Sequence, residues 1–405
     1  MGVLVINAGS SSLKYQFIDM NNEKCLAKGN CEKIGIGGII NHKTFNGNSY
    51  SNNEDFKTHQ QAFDKVINLL IDPKYGVIKS VDDIEAVGHR IVQGASKFRE
   101  SVIVTDEVLA GIAEISCLAP LHNPAHIIGI KACIDVLGKS KPQVAVFDTA
   151  FHNTIPKKAH VYGLPYKYYE HYKVRKYGFH GTSHKYVSGE CAKIMGEDIN
   201  KLKIITCHLG NGASISAVNK GKCVDTSMGF TPMDGLLMGT RCGSIDPSII
   251  PYIAEKDGLT IKEIDTMLNK KSGYLGVSGV GSDYRDLAMA IDNGNKRAKL
   301  ALDIQNYQIK KYIGAYAAVM NGVDAIVFTG GIGEHSVNTR KEACNRMSFL
   351  GIEIDEYKNN KAVTGKAALI SSVNSKVKVF VIPTNEELVI ARETMALIAN
   401  DEEND

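Results

Sequence analysis

The sequence predicts an α/β protein of two domains that share one topology. Three observations carry this. The chain has 405 residues, more than a single hydrophobic core ordinarily serves. A strand–turn–strand plan near the N-terminus recurs about two hundred residues later. Between the two copies and after the second, apolar runs of strand length alternate with segments of helical period.

The first copy opens with the apolar run Val3 to Ile6. It turns through Asn7-Ala8-Gly9-Ser10-Ser11-Ser12 and returns as an alternating stretch ending at Asp19. Phe63, Val66, Ile67 and Leu70 recur at i, i+3, i+4 and i+7, one face of a helix that Pro73 terminates. Val144 to Phe147 is a short buried strand running into Asp148. In the second copy Ile204 to Cys207 is apolar, His208-Leu209-Gly210-Asn211-Gly212 is the turn, and Ala213 to Val218 alternates. From about Gly294 to Met320 a long helix carries Ala298, Leu302, Ile309, Ile313, Tyr316 and Met320 on one stripe, and Asn321-Gly322 caps it. Ala325 to Phe328 is a strand that enters a glycine loop, Thr329-Gly330-Gly331-Ile332-Gly333-Glu334. Val377 to Ile382 is the last strand, Pro383-Thr384-Asn385 a turn, and Glu386 opens a C-terminal helix. The acidic tail, residues 401–405, is expected to fray.

Composition excludes several classes of function. Apolar residues make up 44% and charged residues 22%, the balance of a soluble globular chain. The net charge is +3 with Lys and Arg scattered, so neither a nucleic acid nor an anionic membrane is an expected partner. No apolar run reaches the roughly 18 residues that span a bilayer. The start, Met1-Gly2-Val3-Leu4-Val5-Ile6, has no basic region or cleavage site, and Ile6 breaks a myristoylation signal. Nine cysteines without a C-x-x-C pair read as free, partly buried thiols in a reducing compartment, so a cytoplasmic location is expected.

Residues 7–12, 208–212 and 329–333 are dense in Gly, Ser, Thr and Asn, and each follows an apolar strand. Such loops present backbone N–H groups, and glycine lets a phosphate approach closely. One alone is usually only a turn. Three together point to a polyphosphate, with Lys14 able to reach it as a point charge. Gly138-Lys139-Ser140 is not a P-loop, because Cys133 stands where the first Gly is needed, and G-x-G-x-x-G is absent. His89-Arg90, His122, Asp148, His180, His208, Arg241, Asp283, Arg285 and Glu386 all sit beside Gly or Pro or near predicted strand ends. Phosphoryl transfer needs cations around the moving group and acidic or amide groups for Mg²⁺, and a carboxylate acceptor suits the fork of an Arg. Singly, each has an ordinary structural explanation: a surface Arg, a packed His, or in the case of Asp148 a helix cap.

The ordered motifs decide between these readings. Asn7-Ala8-Gly9-Ser10-Ser11-Ser12-Leu13-Lys14, Gly88-His89-Arg90, His122-Asn123-Pro124, Phe147-Asp148-Thr149-Ala150-Phe151-His152, Tyr177-Gly178-Phe179-His180-Gly181-Thr182-Ser183-His184, His208-Leu209-Gly210-Asn211-Gly212-Ala213-Ser214, Met238-Gly239-Thr240-Arg241 and Pro383-Thr384-Asn385-Glu386-Glu387 run end to end along the chain. With them the sequence resembles the acetate kinases. The resemblance implies two duplicated domains of the actin and sugar-kinase (ribonuclease H-like) fold with a nucleotide cleft between them, paired as a homodimer. The first domain would be 1–150, joined by the C-terminal helix at about 387–405; the second, 151–386, would bind nucleotide and dimerise. The implied reaction is reversible transfer of the ATP γ-phosphoryl group to acetate, giving acetyl phosphate and ADP.

By the same resemblance, Lys14, His208, Leu209, Gly210, Asn211, Gly212, Asp283, Tyr284, Arg285, Gly331, Ile332, Gly333, Glu334 and His335 would hold ATP or ADP. Asn7 and Glu386 would hold Mg²⁺, or Mn²⁺ in its place. Arg90 would grip the acetate carboxylate, with His122 beside the substrate and Val92, Leu121, Phe179 and Pro232 around the methyl group. Asp148, His180 and Arg241 would be catalytic. Acetate is already ionised at neutral pH, so Asp148 is better read as a positioner than as a base. His180 and Arg241 would neutralise the equatorial oxygens of a metaphosphate-like group.

Three positions depart from the family pattern: Cys242 stands where Ser is common, Ser244 where Asp is more frequent, and His335 where Asn is usual. They bear on nucleotide contact and leave the reaction class unchanged. The rival readings are a propionate or butyrate kinase, a pyrophosphate-dependent acetate kinase, and a non-enzymatic ATPase switch on the same fold. The switch would need neither Arg90 nor the Phe179-His180 segment.

Overall fold

The computed structural model describes residues 2–363 and 365–402. The chain divides into two compact units, Met1–Ala150 with Asn385–Asp405, and Phe151–Thr384.

In the first unit β1 (Gly2–Gly9) and β2 (Ser12–Asp19) form the hairpin that the alternation predicts. The ladder runs farther than expected: Asn7 pairs with Lys14 and Gly9 with Ser12, which leaves only Ser10 and Ser11 in the turn. The antiparallel meander continues through β3 (Lys24–Glu32), β4 (Ile39–Thr44) and β5 (Ser49–Asn53). On the other side of β1 lie β6 (Ala86–Ile91), β7 (Val102–Ile103) and β8 (Gln143–Phe147), in the spatial order β6-β8-β7. β6 and β8 run parallel to β1, and β8 is buried along its whole length, as a strand covered on both faces must be.

One face of this sheet packs Leu4, Ile6, Leu13 and Phe17 against Phe63, Val66 and Leu70 of the helix His59–Leu70. The helix Asn123–Leu137 lies against β1, β6 and the helix His59–Leu70. The helix Glu386–Glu402 packs on β1, β6 and β8, with Ile390 and Thr394 buried. Gly88 makes that seat possible. A Cβ there would lie 2.4 Å from Thr394 Oγ1 and 2.7 Å from Ile390 Cγ2. Asp401 and Glu402 end this helix, while residues 403–405 of the expected frayed tail lie outside the described residues.

The second unit repeats the plan. β9 (Lys203–Leu209), β10 (Ala213–Asn219) and β11 (Lys222–Thr226) are antiparallel neighbours. β12 (Ala325–Thr329) lies parallel to β9, and β13 (Ala368–Leu369) and β14 (Lys378–Val381) complete the order β11-β10-β9-β12-β14-β13. The runs β3-β2-β1-β6-β8 and β11-β10-β9-β12-β14 are therefore one topology used twice: a meander of three strands with two parallel strands added beside the first. The duplicated α/β class expected from the sequence is the class observed.

The helix Gly181–Met195 covers one face of this sheet, with Val187 and Cys191 against Ile204, Val327 and Phe380. The long helix is Lys296–Val319, and its N-cap Asn295 accepts from the N–H groups of Arg297 and Ala298. One segment differs from its sequence reading. Gly330–His335 is a short helix, not a loop, because Glu334 Oε1 accepts from Gly330 N–H at 3.0 Å and closes the turn. All nine cysteines are free and six are buried, as the absence of paired spacing suggested. Among the described residues no helix is long and apolar enough to cross a membrane.

Candidate active site

The first unit brings Arg90 and Asp148 together at the C-terminal ends of its parallel strands, where open α/β sheets place ligands. Register puts Arg90 opposite Val146, and Asp148 extends the β6–β8 ladder by donating its N–H to Ile91 O at 2.8 Å. The two side chains meet in a fork. Arg90 Nη2 donates to Asp148 Oδ2 at 2.6 Å and Nε to Oδ1 at 3.2 Å. Asp148 is 1% exposed and the Arg90 side chain 23%. Burial works against the Arg90 charge, but the carboxylates of Asp148 and Glu386 outweigh it and hold the guanidinium above its ordinary pKa. Glu386 Oε2 lies 3.9 Å from Arg90 Nε.

The sequence reading gave Arg90 and Asp148 separate tasks. In the structure Asp148 holds the Nε–Nη2 edge of Arg90, so the two side chains form one hydrogen-bonded unit.

Asn7, Lys14, Arg90, Glu386 and Glu387 line a cavity of about 540 Å³. An amide and carboxylates among the lining residues are oxygen donors that suit a hard cation keeping several waters, so the residues present fit Mg²⁺. Glu387 was not singled out from the sequence. Val92 is buried just beyond β6. Leu121, expected beside the substrate's methyl group, is 70% exposed in the turn before the helix Asn123–Leu137. His122 is the N-cap position of that helix, makes no side-chain capping bond, and stacks on His126.

The second unit assembles a different group. His180 precedes the helix Gly181–Met195 in a left-handed conformation, φ +57°, which is costly for a residue with a Cβ and is tolerated where surroundings hold it. Here the holders are visible. His152 Nε2 donates to the Phe179 carbonyl at 2.9 Å, and burial pushes the His152 pKa down to about 4, so the ring is neutral. His180 Nδ1 meets Ser214 Oγ at 2.9 Å, and its ring stacks on His208 with centroids 4.2 Å apart. Ser183 Oγ bonds both His208 Nδ1 and Thr384 Oγ1 at 2.8 Å, joining the ends of β9 and β14. Arg241 Nη1 donates to Pro232 O at 2.8 Å, and burial lowers its pKa. Gly212 packs against both groups: a Cβ there would lie 3.4 Å from His180 Nε2 and 3.6 Å from Arg241 Nη1. Phe179 is buried.

A second cavity, of about 620 Å³, suits a nucleotide by size. Gly210, Asn211, Asp283, Tyr284, Arg285, Gly331, Ile332 and His335 line it, as the resemblance implies. Tyr274, Ala288 and Ser336 line it too and were missed; Ser336 is the N-cap of Val337–Cys344, a local signal that was available. Asp283 caps the helix Tyr284–Asp292 and pairs with Arg285, which holds its carboxyl down to about 2. His208, Leu209, Gly212, Gly333 and Glu334 are not in this lining. Leu209 is packed in the core, and Glu334 Oε1 is engaged by the N–H groups of Gly330 and Thr384. Of the three departures from the family pattern, only His335 reaches the cavity. Ser244 donates to Asp234 and Cys242 to the Gly243 carbonyl.

Known proteins give this arrangement a family. The chain is 56% identical over 400 residues to acetate kinase 2 of Clostridium perfringens, covering 98% of this chain and all of the relative. The crystal structure of Porphyromonas gingivalis acetate kinase superposes with a TM-score of 0.94 at 48% identity, covering 98% of this chain and 99% of that one. A propionate kinase from Francisella tularensis superposes at 0.90 with 42% identity over the same shares. A sequence model of the acetokinase family matches residues 2–392, a span that takes in both sheets, both cavities and both hydrogen-bonded clusters, and the chain belongs to that family.

Proposed function

We propose that this protein is an acetate kinase: it moves the γ-phosphoryl group of ATP onto a carboxylate oxygen of acetate, reversibly and in one in-line step. The acetate oxygen forms the new P–O bond as the bond to the ADP leaving oxygen breaks, and no proton need be removed from the acid. The observation that carries the reading is Arg90, held on one edge by a buried Asp148 within a chain 56% identical to an acetate kinase along its length.

Each group then has a physical task. Arg90 orients the acetate and offsets its charge, and Asp148 fixes the Arg90 fork. His180 and Arg241 stabilise the charge on the equatorial oxygens, most strongly in the transition state. Asn7 and Glu386 would hold Mg²⁺, which supplies charge neutralisation at the phosphates. The cavity walled by Gly331, Tyr284 and His335 would take the adenosine. The family resemblance further supports a cytoplasmic homodimer.

The deciding experiment is a hydroxamate assay for acyl phosphate with acetate, propionate or butyrate as acceptor, and ATP–Mg²⁺ or pyrophosphate–Mg²⁺ as donor. Acetate with ATP should be the best pair. A preference for propionate would make the chain a sibling of the Francisella relative, and ATP hydrolysis without acyl phosphate would indicate a switch.

A further inference from the structure

We propose that Ser214 and His184 are positioning residues that fix the tautomer of His180, placing its proton on Nε2 so that a neutral ring donates to the transferring phosphoryl group. The proposal rests on the catalytic role given to His180 above.

Three buried side chains stand in line behind His180. Its Nδ1 meets Ser214 Oγ at 2.9 Å; Ser214 Oγ meets His184 Nε2 at 2.8 Å; His184 Nδ1 meets Thr206 Oγ1 at 2.7 Å. Thr206, His184 and Ser214 are each 0% exposed. Secondary structure places all four. His180 and His184 are one helical turn apart at the start of Gly181–Met195, and Thr206 and Ser214 lie on the paired strands β9 and β10.

Counting protons gives the line a direction. Burial drives the His184 pKa far below its ordinary value, so this ring is neutral and carries one N–H. Thr206 and Ser214 carry one hydroxyl proton each. Thr206 Oγ1 has His184 as its one hydrogen-bond partner among the described residues. If Thr206 donates to His184 Nδ1, then His184 Nε2–H donates to Ser214, Ser214 donates to His180 Nδ1, and every proton has an acceptor. If the line runs the other way, the Thr206 proton is buried with none. If Ser214 accepts from both histidines, its own proton is stranded. An unmade buried bond carries the full desolvation cost of the group, so the line runs from Thr206 to His180. His180 Nδ1 is then an acceptor, and the ring proton sits on Nε2. That nitrogen lies 3.4 Å from the space left open by Gly212, which Arg241 also borders.

The test combines kinetics with a spectroscopic readout. Ser214→Ala removes one oxygen and should lower kcat 10- to 50-fold, with KM for acetate and ATP within twofold. In a His180→Ala background the same substitution should change kcat less than twofold. In enzyme labelled with ¹⁵N-histidine, His180 should show the Nε2-protonated pattern, and Ser214→Ala should convert it to a tautomer mixture. An Nδ1-protonated His180, an unchanged kcat in Ser214→Ala, or an equal loss in both backgrounds would overturn the proposal. His180→Ala with wild-type kcat would refute the catalytic assignment and the proposal with it. The ¹⁵N pattern, read on the wild-type protein, tells that failure apart from a failure of the hydrogen-bonded line.

Discussion

Replacing Asp148 by Asn tests whether the buried carboxylate acts through Arg90. The pair makes two charge-assisted bonds, at 2.6 and 3.2 Å, with Asp148 1% exposed. Asn keeps the volume and one acceptor, loses the charge, and turns an N–H₂ toward the guanidinium. Breaking a buried ion pair from one side costs about 3–5 kcal/mol. The lower end applies, because Arg90 retains 23% side-chain exposure and Glu386 remains 3.9 Å away as a counter-charge. Where that loss is carried by the misplaced guanidinium in the acetate-bound transition state, about 3 kcal/mol is about a hundredfold in rate. The loss should fall on kcat/KM for acetate, since a guanidinium drawn toward Glu386 is no longer held on its Nε–Nη2 edge. KM for ATP should stay within about twofold, because the nucleotide cavity is built from other residues. The assay is hydroxamate-trapped acetyl phosphate with acetate varied at saturating ATP, and circular dichroism checks the fold. Wild-type kcat/KM for acetate, or an ATP KM that rises as much as the acetate KM, would refute the reasoning.

Other perturbations follow from the same geometry. Propionate should be a weaker substrate by the roughly 1–3 kcal/mol of one methylene, and Val92→Ala should narrow the gap; equal use of butyrate by the wild type would remove Val92 from the acid's surroundings. Ala288→Phe should fill part of the nucleotide cavity and raise the ATP KM at least tenfold without moving the acetate KM. Pyrophosphate should be a poor donor in parallel assays, and a clear preference for it would exclude an adenosine site there. Burial lowers the pKa of His89 and of His152 to about 4. The unfolded chain takes up those protons near pH 6.5 and the folded chain does not, so the stability they confer is whole above pH 6.5 and falls as pH drops toward 4. Calorimetric Tm should therefore decline between pH 7 and 4.5, and equal Tm values at 7 and 5 would contradict the assignment.

Much of the architecture was legible in the sequence because it is written in local terms. The hairpins around Gly9 and Gly210 follow from apolar runs interrupted by small residues, and the long helix follows from an apolar stripe closed by Asn321-Gly322. Arg90, Asp148, His180 and Arg241 could be named from motifs, but their partners could not. The Arg90–Asp148 fork joins residues 58 apart and exists because β6 and β8 are parallel neighbours in one register. The glycine segment before Glu334 coils into a helix, and Glu334 accepts from the N–H groups of Gly330 and Thr384, a tie across 50 residues that no local pattern reveals. Ser214 closes a motif and lies on an alternating strand, and only the fold sets it between two histidines. The sequence by itself determined the elements, their duplicated order and the chemical types at the strand ends, since period and turn chemistry depend on near neighbours. Only the tertiary structure decided which of those groups meet, because strand register and helix seating bring distant residues to hydrogen-bond distance, where burial settles which proton or charge each keeps.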